Sequence, residues 1–182
     1  MSTIEYCEIP NAKGSLHQEN HRLPPAQNML KLNVDASLNE NLNQFSVGGV
    51  LQDHQGRLLS AFGKKINQPF SVVHGELLAI MEGIKLVYEK NFRNIQVASD
   101  TLLTVQAVTA DQEDLGYPGA CATKIKERLQ DFIAFDIVHV RRSVNSVAHN
   151  IAVFSSSTHS SFVWMNDEFL LWLVGLVMLD YN

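Results

Sequence analysis

Leu30-Lys31-Leu32-Asn33-Val34-Asp35 is the stretch whose reading decides the fold. Leu30, Leu32 and Val34 alternate with Lys31, Asn33 and Asp35, and a period of two marks a β-strand with one buried face. The strand ends in an acid. Working outward, 45–53 reads as a second strand, His54-Gln55-Gly56 as a turn and 57–63 as the returning strand, so three antiparallel strands follow one another.

Past Phe70 the period changes. Val73, Leu77, Ile80, Ile84 and Val87 are spaced by four, three, four and three, which predicts a helix over 70–91, entered at Pro69 and Ser71. Then come a short strand over 94–100 ending in Asp100, a helix from about 102 to 108, a loop over 111–119 dense in acids, Gly and Pro, and a helix over 120–132. A fifth strand is expected over 135–140. Val144, Val147, Ala148, Ile151 and Phe154 then mark an amphipathic helix closing at Ser155-Ser156-Ser157. The order βββαβααβα implies an α/β fold with a mixed five-stranded sheet and flanking helices, because each crossover returns the chain to a parallel neighbour.

The flanks differ from this centre. Residues 1–28 are polar and lack the basic-then-apolar pattern of a signal peptide, so they read as a flexible leader. Residues 29–158 form the expected domain, and 159–182 an apolar tail expected to be helical. Its longest apolar run, 169–179, is broken only by Gly175 and falls short of the roughly 20 residues that cross a bilayer. Cys7 and Cys121 stand in no metal-ligand or redox spacing, which suits a reduced intracellular protein, nuclear or cytoplasmic. With 182 residues and 46% hydrophobic content the chain has enough apolar surface for one core, and a monomer is the simplest assembly.

The formal net charge of −5 excludes nucleic-acid binding by overall electrostatics, since phosphate neutralisation needs excess Lys and Arg. Any such site has to be local. Lys64 with Lys65, Lys124 with Lys126 and Arg128, and Arg141 with Arg142 are the small basic groups; each also reads as a solvated face.

Asp35, Glu76 and Asp100 stand where a purely solvated charge is awkward. Glu76 shares the helix face of Val73 and Ile80, where a carboxylate is costly unless a cation or donors meet it. Asp35 and Asp100 end strands, and the crevice beyond the carboxyl ends of strands is the usual ligand site of an α/β sheet. Three oxygen ligands there suit Mg²⁺ or Mn²⁺. Taken singly, each acid has another reading: Asp100 as a helix N-cap, Asp35 as a turn aspartate, Glu76 as a first-turn complement to the helix dipole.

Together these residues make 31–154 resemble the ribonuclease H type 1 superfamily. The resemblance is carried by Lys31-Leu-Asn-Val-Asp35, Gly48-Gly49, Gly75-Glu76-Leu77-Leu78-Ala79, Val97-Ala98-Ser99-Asp100, Val140-Arg141-Arg142 and Asn145 to His149. More narrowly the chain is similar to the plant reverse-transcriptase-like branch, related to retroelement ribonuclease H domains; Trp164 to Asp180 fits the apolar tail of that branch loosely. The resemblance implies hydrolysis of the RNA strand of an RNA·DNA hybrid, leaving a 5′-phosphate and a 3′-hydroxyl. Two divalent ions roughly 4 Å apart activate the water and neutralise the leaving oxygen in such sites. It further implies that Asp35 bridges both ions, with Glu76 and Asp100 completing the first, and that no small-molecule cofactor is used. Ser37, the Gly48 and Gly49 backbone, Thr101 and Asn145 become candidates for substrate contact, through backbone and 2′-hydroxyl interactions with little sequence preference.

The chain also departs from that pattern. The fourth carboxylate of the family is replaced by His149, either a weak ligand or a helix histidine without a role. Neutral imidazole favours Mn²⁺ over Mg²⁺. No histidine lies between Arg142 and Asn145, and the basic protrusion of some relatives is replaced by Ala110-Asp-Gln-Glu-Asp-Leu-Gly116. His74 and His139 read as structural. Slow, Mn²⁺-preferring cleavage is the expectation, with a binding module that has lost efficient chemistry as the alternative.

Overall fold

A computed structural model describes residues 25–42, 44–66, 71–110, 116–158, 160–165 and 173. The strands are β1 (Leu30–Asn39), β2 (Gln44–Gln52), β3 (Leu58–Ile66), β4 (Asn94–Ser99), β5 (Ala134–His139) and β6 (Phe162–Met165). The helices are α1 (Val72–Glu89), α2 (Leu102–Thr109), α3 (Tyr117–Leu129) and α4 (Ser146–Ser157). The sheet runs β5-β4-β1-β2-β3-β6. Its β1–β2, β2–β3 and β3–β6 pairs are antiparallel, and β1–β4 and β4–β5 are parallel.

The α/β class and the mixed sheet agree with the sequence reading, but the sheet has six strands rather than five. The extra one is Phe162–Met165, inside the tail expected to be helical. Phe162 stacks on Trp164 with ring centroids 4.1 Å apart, and both rings meet Phe154 of α4 at 5.8 and 5.7 Å. These contacts seat the segment beside β3. The four-residue run Phe-Val-Trp-Met shows no polar alternation, so its pattern could not distinguish strand from helix. Residues 1–24 of the expected 1–28 leader and most of the tail past 165 lie outside the described residues.

Two clusters explain how the helices sit. On one face Leu32, Val34, Leu77, Ile80, Ile84, Val97, Ile125 and Ile137 form the main core under α1, α2 and α3; each fully buried aliphatic side chain is worth roughly 1.5–3 kcal/mol. On the other face Val50, Ala61, Val147, Ile151 and Leu173 pack with α4. β1 is therefore covered on both faces, and Lys31, Asn33 and Asp35 are as buried as the leucine beside them. The alternation in the opening stretch separates two buried faces, one apolar and one polar.

At the start of α1 the Ser71 hydroxyl accepts from the His74 N–H at 3.2 Å, an N-cap. At the hairpin the Asp53 carboxylate accepts from the N–H groups of Gln55 and Arg57, each at 2.9 Å, and Gly56 takes φ 76°, a left-handed conformation that favours glycine.

Candidate metal centre

Asn33 of β1 pairs with Ala98 of β4, and the parallel ladder ends there. Asp35 and Asp100 each lie two residues further on, at the carboxyl end of their strands' shared register. β1 itself continues to Asn39 beside β2, so Asp35 stands inside a strand at the notch where the sheet parts, not at the strand's end.

Glu76 reaches the same notch from α1. A Cβ on Gly75 would lie 3.1 Å from Phe45 Cδ1 and 3.2 Å from Ala36 Cβ, so the glycine lets the helix settle against β1. Glu76 then accepts hydrogen bonds from the Ala36 backbone and the Thr101 side chain.

The ligand atoms of Asp35, Glu76 and Asp100 all lie within 4.8 Å of one another. Asp35 is 2% and Glu76 3% exposed. Burial, and then the nearby Asp100 charge, push the Asp35 carboxyl up to about 7, although the His149 hydrogen bond opposes the rise. Burial and the charges of Asp35 and Asp100 push Glu76 up to about 9. Glu76 Oε2 is buried with no hydrogen-bond partner among the described residues. An unpartnered carboxylate oxygen facing two more acids fits a bound cation, and an all-oxygen donor set fits Mg²⁺ or Mn²⁺.

The ordinary explanations for these acids do not hold in the structure. Thr101, not Asp100, is the N-cap residue of α2. The first turn of α1 holds no acid, Glu76 being its fifth residue. Asp35 is in no turn.

Among the described residues the carboxylate group does not include a ring nitrogen of His149. That side chain instead places Nδ1 2.7 Å from Asp35 Oδ2, and Arg142 Nη2 approaches its Nε2 at 3.4 Å. α4 can lie this close because Asp35 faces Gly48 across the ladder, and a Cβ there would come within 2.4 Å of the Ala152 nitrogen. Ser46 Oγ fastens the same turn, donating to the Ala152 carbonyl at 2.6 Å.

Three of the expected substrate contacts are buried. Gly48 is covered by α4, and a Cβ on Gly49 would meet the Phe62 ring at 2.3 Å; both are buried where other elements pack closely. Asn145 is 1% exposed; its Nδ2 donates to the Val34 carbonyl at 2.8 Å and its Oδ1 accepts from Asn33 Nδ2 at 3.1 Å. It ties α4 to β1 beside the acids. Ser37 and Thr101 stay half-buried at the rim: Ser37 follows Asp35 by two on the same strand face, and the Thr101 N–H donates to Ser99 Oγ at 3.2 Å.

His74 is buried in α1. His139 Nε2 donates to the Asp100 carbonyl at 3.1 Å, a structural role next to the site. Asn33, Ser46 and the Arg142 contact escaped the sequence reading, because each acts across more than a hundred residues or on a loop with no periodic signal.

A family model described as reverse transcriptase-like matches residues 33–155. Among solved structures, ribonuclease H1 from Halobacterium salinarum is similar at TM-score 0.65 and 20% identity, over 70% of this chain and 97% of that one. An N-terminal ribonuclease H domain from Mycobacterium tuberculosis, solved as a fusion with maltose-binding protein, is similar at 0.63 and 15%, over 70% and 92%. A ribonuclease H1 called LC11, solved in complex with an RNA/DNA hybrid, is similar at 0.62 and 15%, over 69% and 95%. At these identities the likeness establishes a shared ribonuclease H fold. No curated protein matches the chain.

Proposed function

Because the chain belongs to the reverse transcriptase-like family, whose model spans residues 33–155, we propose that it is a metal-dependent endonuclease acting on the RNA strand of RNA·DNA hybrids. The observation that carries this reading is the meeting of three carboxylates from β1, α1 and the end of β4 within 4.8 Å. The hybrid bound by the LC11 ribonuclease H1 supports the choice of substrate.

In this reading Asp35, Glu76 and Asp100 hold the divalent ions, Mg²⁺ or Mn²⁺. When bound, the ions supply a nucleophile at neutral pH and neutralise charge on the leaving oxygen. The protein's own part is positioning. The Ala36 N–H and the Thr101 side chain orient Glu76, and Asn145 fixes α4 against β1. Ser37 and Thr101, at the rim, contact the substrate backbone. Residues 29–158, with β6 completing the sheet beside β3, are the functional unit. Among the described residues no helix is long and apolar enough to cross a membrane.

A second reading, a nucleic-acid or protein-binding module with the chemistry lost, is favoured by one observation: the group of acids has no fourth member among the described residues. Purified protein incubated with labelled RNA·DNA hybrid, RNA duplex and DNA duplex, with Mg²⁺, Mn²⁺ or a chelator, separates the two. Metal-dependent cleavage of the hybrid's RNA strand is expected, slow and weakened by salt. Binding without cleavage in either metal would establish the second reading.

A further inference from the structure

The geometry points to His149 as a positioning residue for Asp35, held in one tautomer by Arg142, and not as a fourth metal ligand. The inference rests on the metal-site reading above and deepens it. A guanidinium has only donors and stays protonated. Arg142 Nη2 at 3.4 Å from His149 Nε2 therefore faces a lone pair, since an N–H there would meet another N–H. The ring proton is thereby assigned to Nδ1, which donates to Asp35 Oδ2 at 2.7 Å.

Both ring nitrogens are then engaged. The nitrogen nearest the acids carries a hydrogen and offers no lone pair to a cation. Asp35 is 3% exposed in its side chain, against 31% for His149, so the histidine is the wall through which the buried carboxylate is fixed. With Oδ2 held by a donor, the Asp35 carboxylate is fixed in orientation toward Asp100, beside the unpartnered Glu76 Oε2. A cation that took Asp35 Oδ2 as a ligand would have to displace this hydrogen bond. The replacement of the expected carboxylate thus exchanges a ligand for an orienting donor, a role that commonly affects metal affinity about 10- to 100-fold.

The test combines ¹⁵N NMR of the histidine rings in the full-length, metal-free protein with Mg²⁺ titration by calorimetry. Expected are a protonated Nδ1 and an unprotonated Nε2 at His149, with Nδ1 still protonated at Mg²⁺ saturation. In His149→Asn the introduced side-chain amide can donate from nearly the same place as Nδ1. That variant should keep Mg²⁺ affinity within about threefold of wild type, whereas His149→Ala should lose about tenfold or more. Arg142→Met should shift the ring toward a mixture of tautomers.

A bare Nδ1, loss of its proton on Mg²⁺ binding, or a His149→Asn variant as weak as His149→Ala would overturn the positioning role while leaving the metal site standing. Wild-type protein that binds no Mg²⁺ would instead overturn the metal-site reading itself, whichever tautomer is found.

Discussion

Gly48 and Ala152 approach so closely that a Cβ on the glycine would lie 2.4 Å from the Ala152 amide nitrogen. That contact sets the distance between α4 and the sheet, and through it the reach of His149 to Asp35. Because the obstructing atoms are helix backbone, they cannot swing aside. Gly48→Ala is expected to destabilise the protein by about 1–3 kcal/mol, lowering Tm by roughly 2–4 °C per kcal/mol. Thermal unfolding checks the size, and loss of Mg²⁺ affinity in the folded variant checks the link to the site.

The acid cluster should make metal-free stability depend on pH. Asp35 and Glu76 titrate higher in the folded chain, at about 7 and about 9, than in the unfolded one. Groups with raised folded values contribute fully below their unfolded range of about 4 and lose that contribution as pH rises through the folded values. Without metal, Tm should therefore fall between about pH 5 and pH 9. Mg²⁺ should raise Tm more near pH 8 than near pH 6, and calorimetry at the lower pH should show proton release on binding.

Asp35→Asn removes one of the three charges while keeping an acceptor for His149. Holding Asp35 ionised in the metal-free protein costs up to roughly 4 kcal/mol, shared with its neighbours. The variant is expected to be more stable than wild type near pH 8 in chelator, by about 1–3 kcal/mol, with the advantage gone near pH 5. Urea unfolding at the two pH values is the check.

Asn145→Ala leaves Asn33 Nδ2 and the Val34 carbonyl without their present partners. Both belong to the β1 stretch leading into Asp35. A loss of about 1–3 kcal/mol is expected, with metal affinity falling alongside. Unchanged stability would mean that Asn145 is not the tie between α4 and β1.

His149→Asp exchanges the donor for a carboxylate. It should lower metal-free stability by adding a like charge beside Asp35, and raise the number of Mg²⁺ ions bound in the presence of substrate. Cleavage should become faster and less dependent on Mn²⁺. A variant slower than wild type in both metals would count against the expectation that the replacement of that carboxylate slows turnover.

Much of this was legible in the residues themselves. The period-two stretch before Asp35, the helical spacing from Val73 to Val87 and the placement of three acids in separate elements are local patterns. They sufficed for the α/β class, for the first five strands and for which carboxylates meet. What escaped was decided by distance in sequence. Asn145 and the Gly48-Gly49 pair read as candidates for substrate contact from their place in the motif, which gives position without burial; their packing against β1, α4 and Phe62 has no signal in the local sequence. Asp35 read as a strand terminus because the hydrophobic pattern stops there, although the antiparallel partner carries β1 on to Asn39. The sixth strand is held by aromatic contacts with α4, which no pattern within Phe162–Met165 announces. His149 read as a possible ligand from its place in the motif; its partners, Asp35 and Arg142, come from a distant strand and a neighbouring loop.

The most direct test of the central claim is cleavage of a labelled RNA·DNA hybrid by wild type and Asp35→Asn, side by side with calorimetric Mg²⁺ binding. Metal-dependent cutting of the RNA strand by wild type, lost together with metal affinity in the variant, is the expected result. Equal cleavage by the two proteins, or none by a wild type shown to be folded in either Mg²⁺ or Mn²⁺, would contradict a nuclease built on Asp35, Glu76 and Asp100.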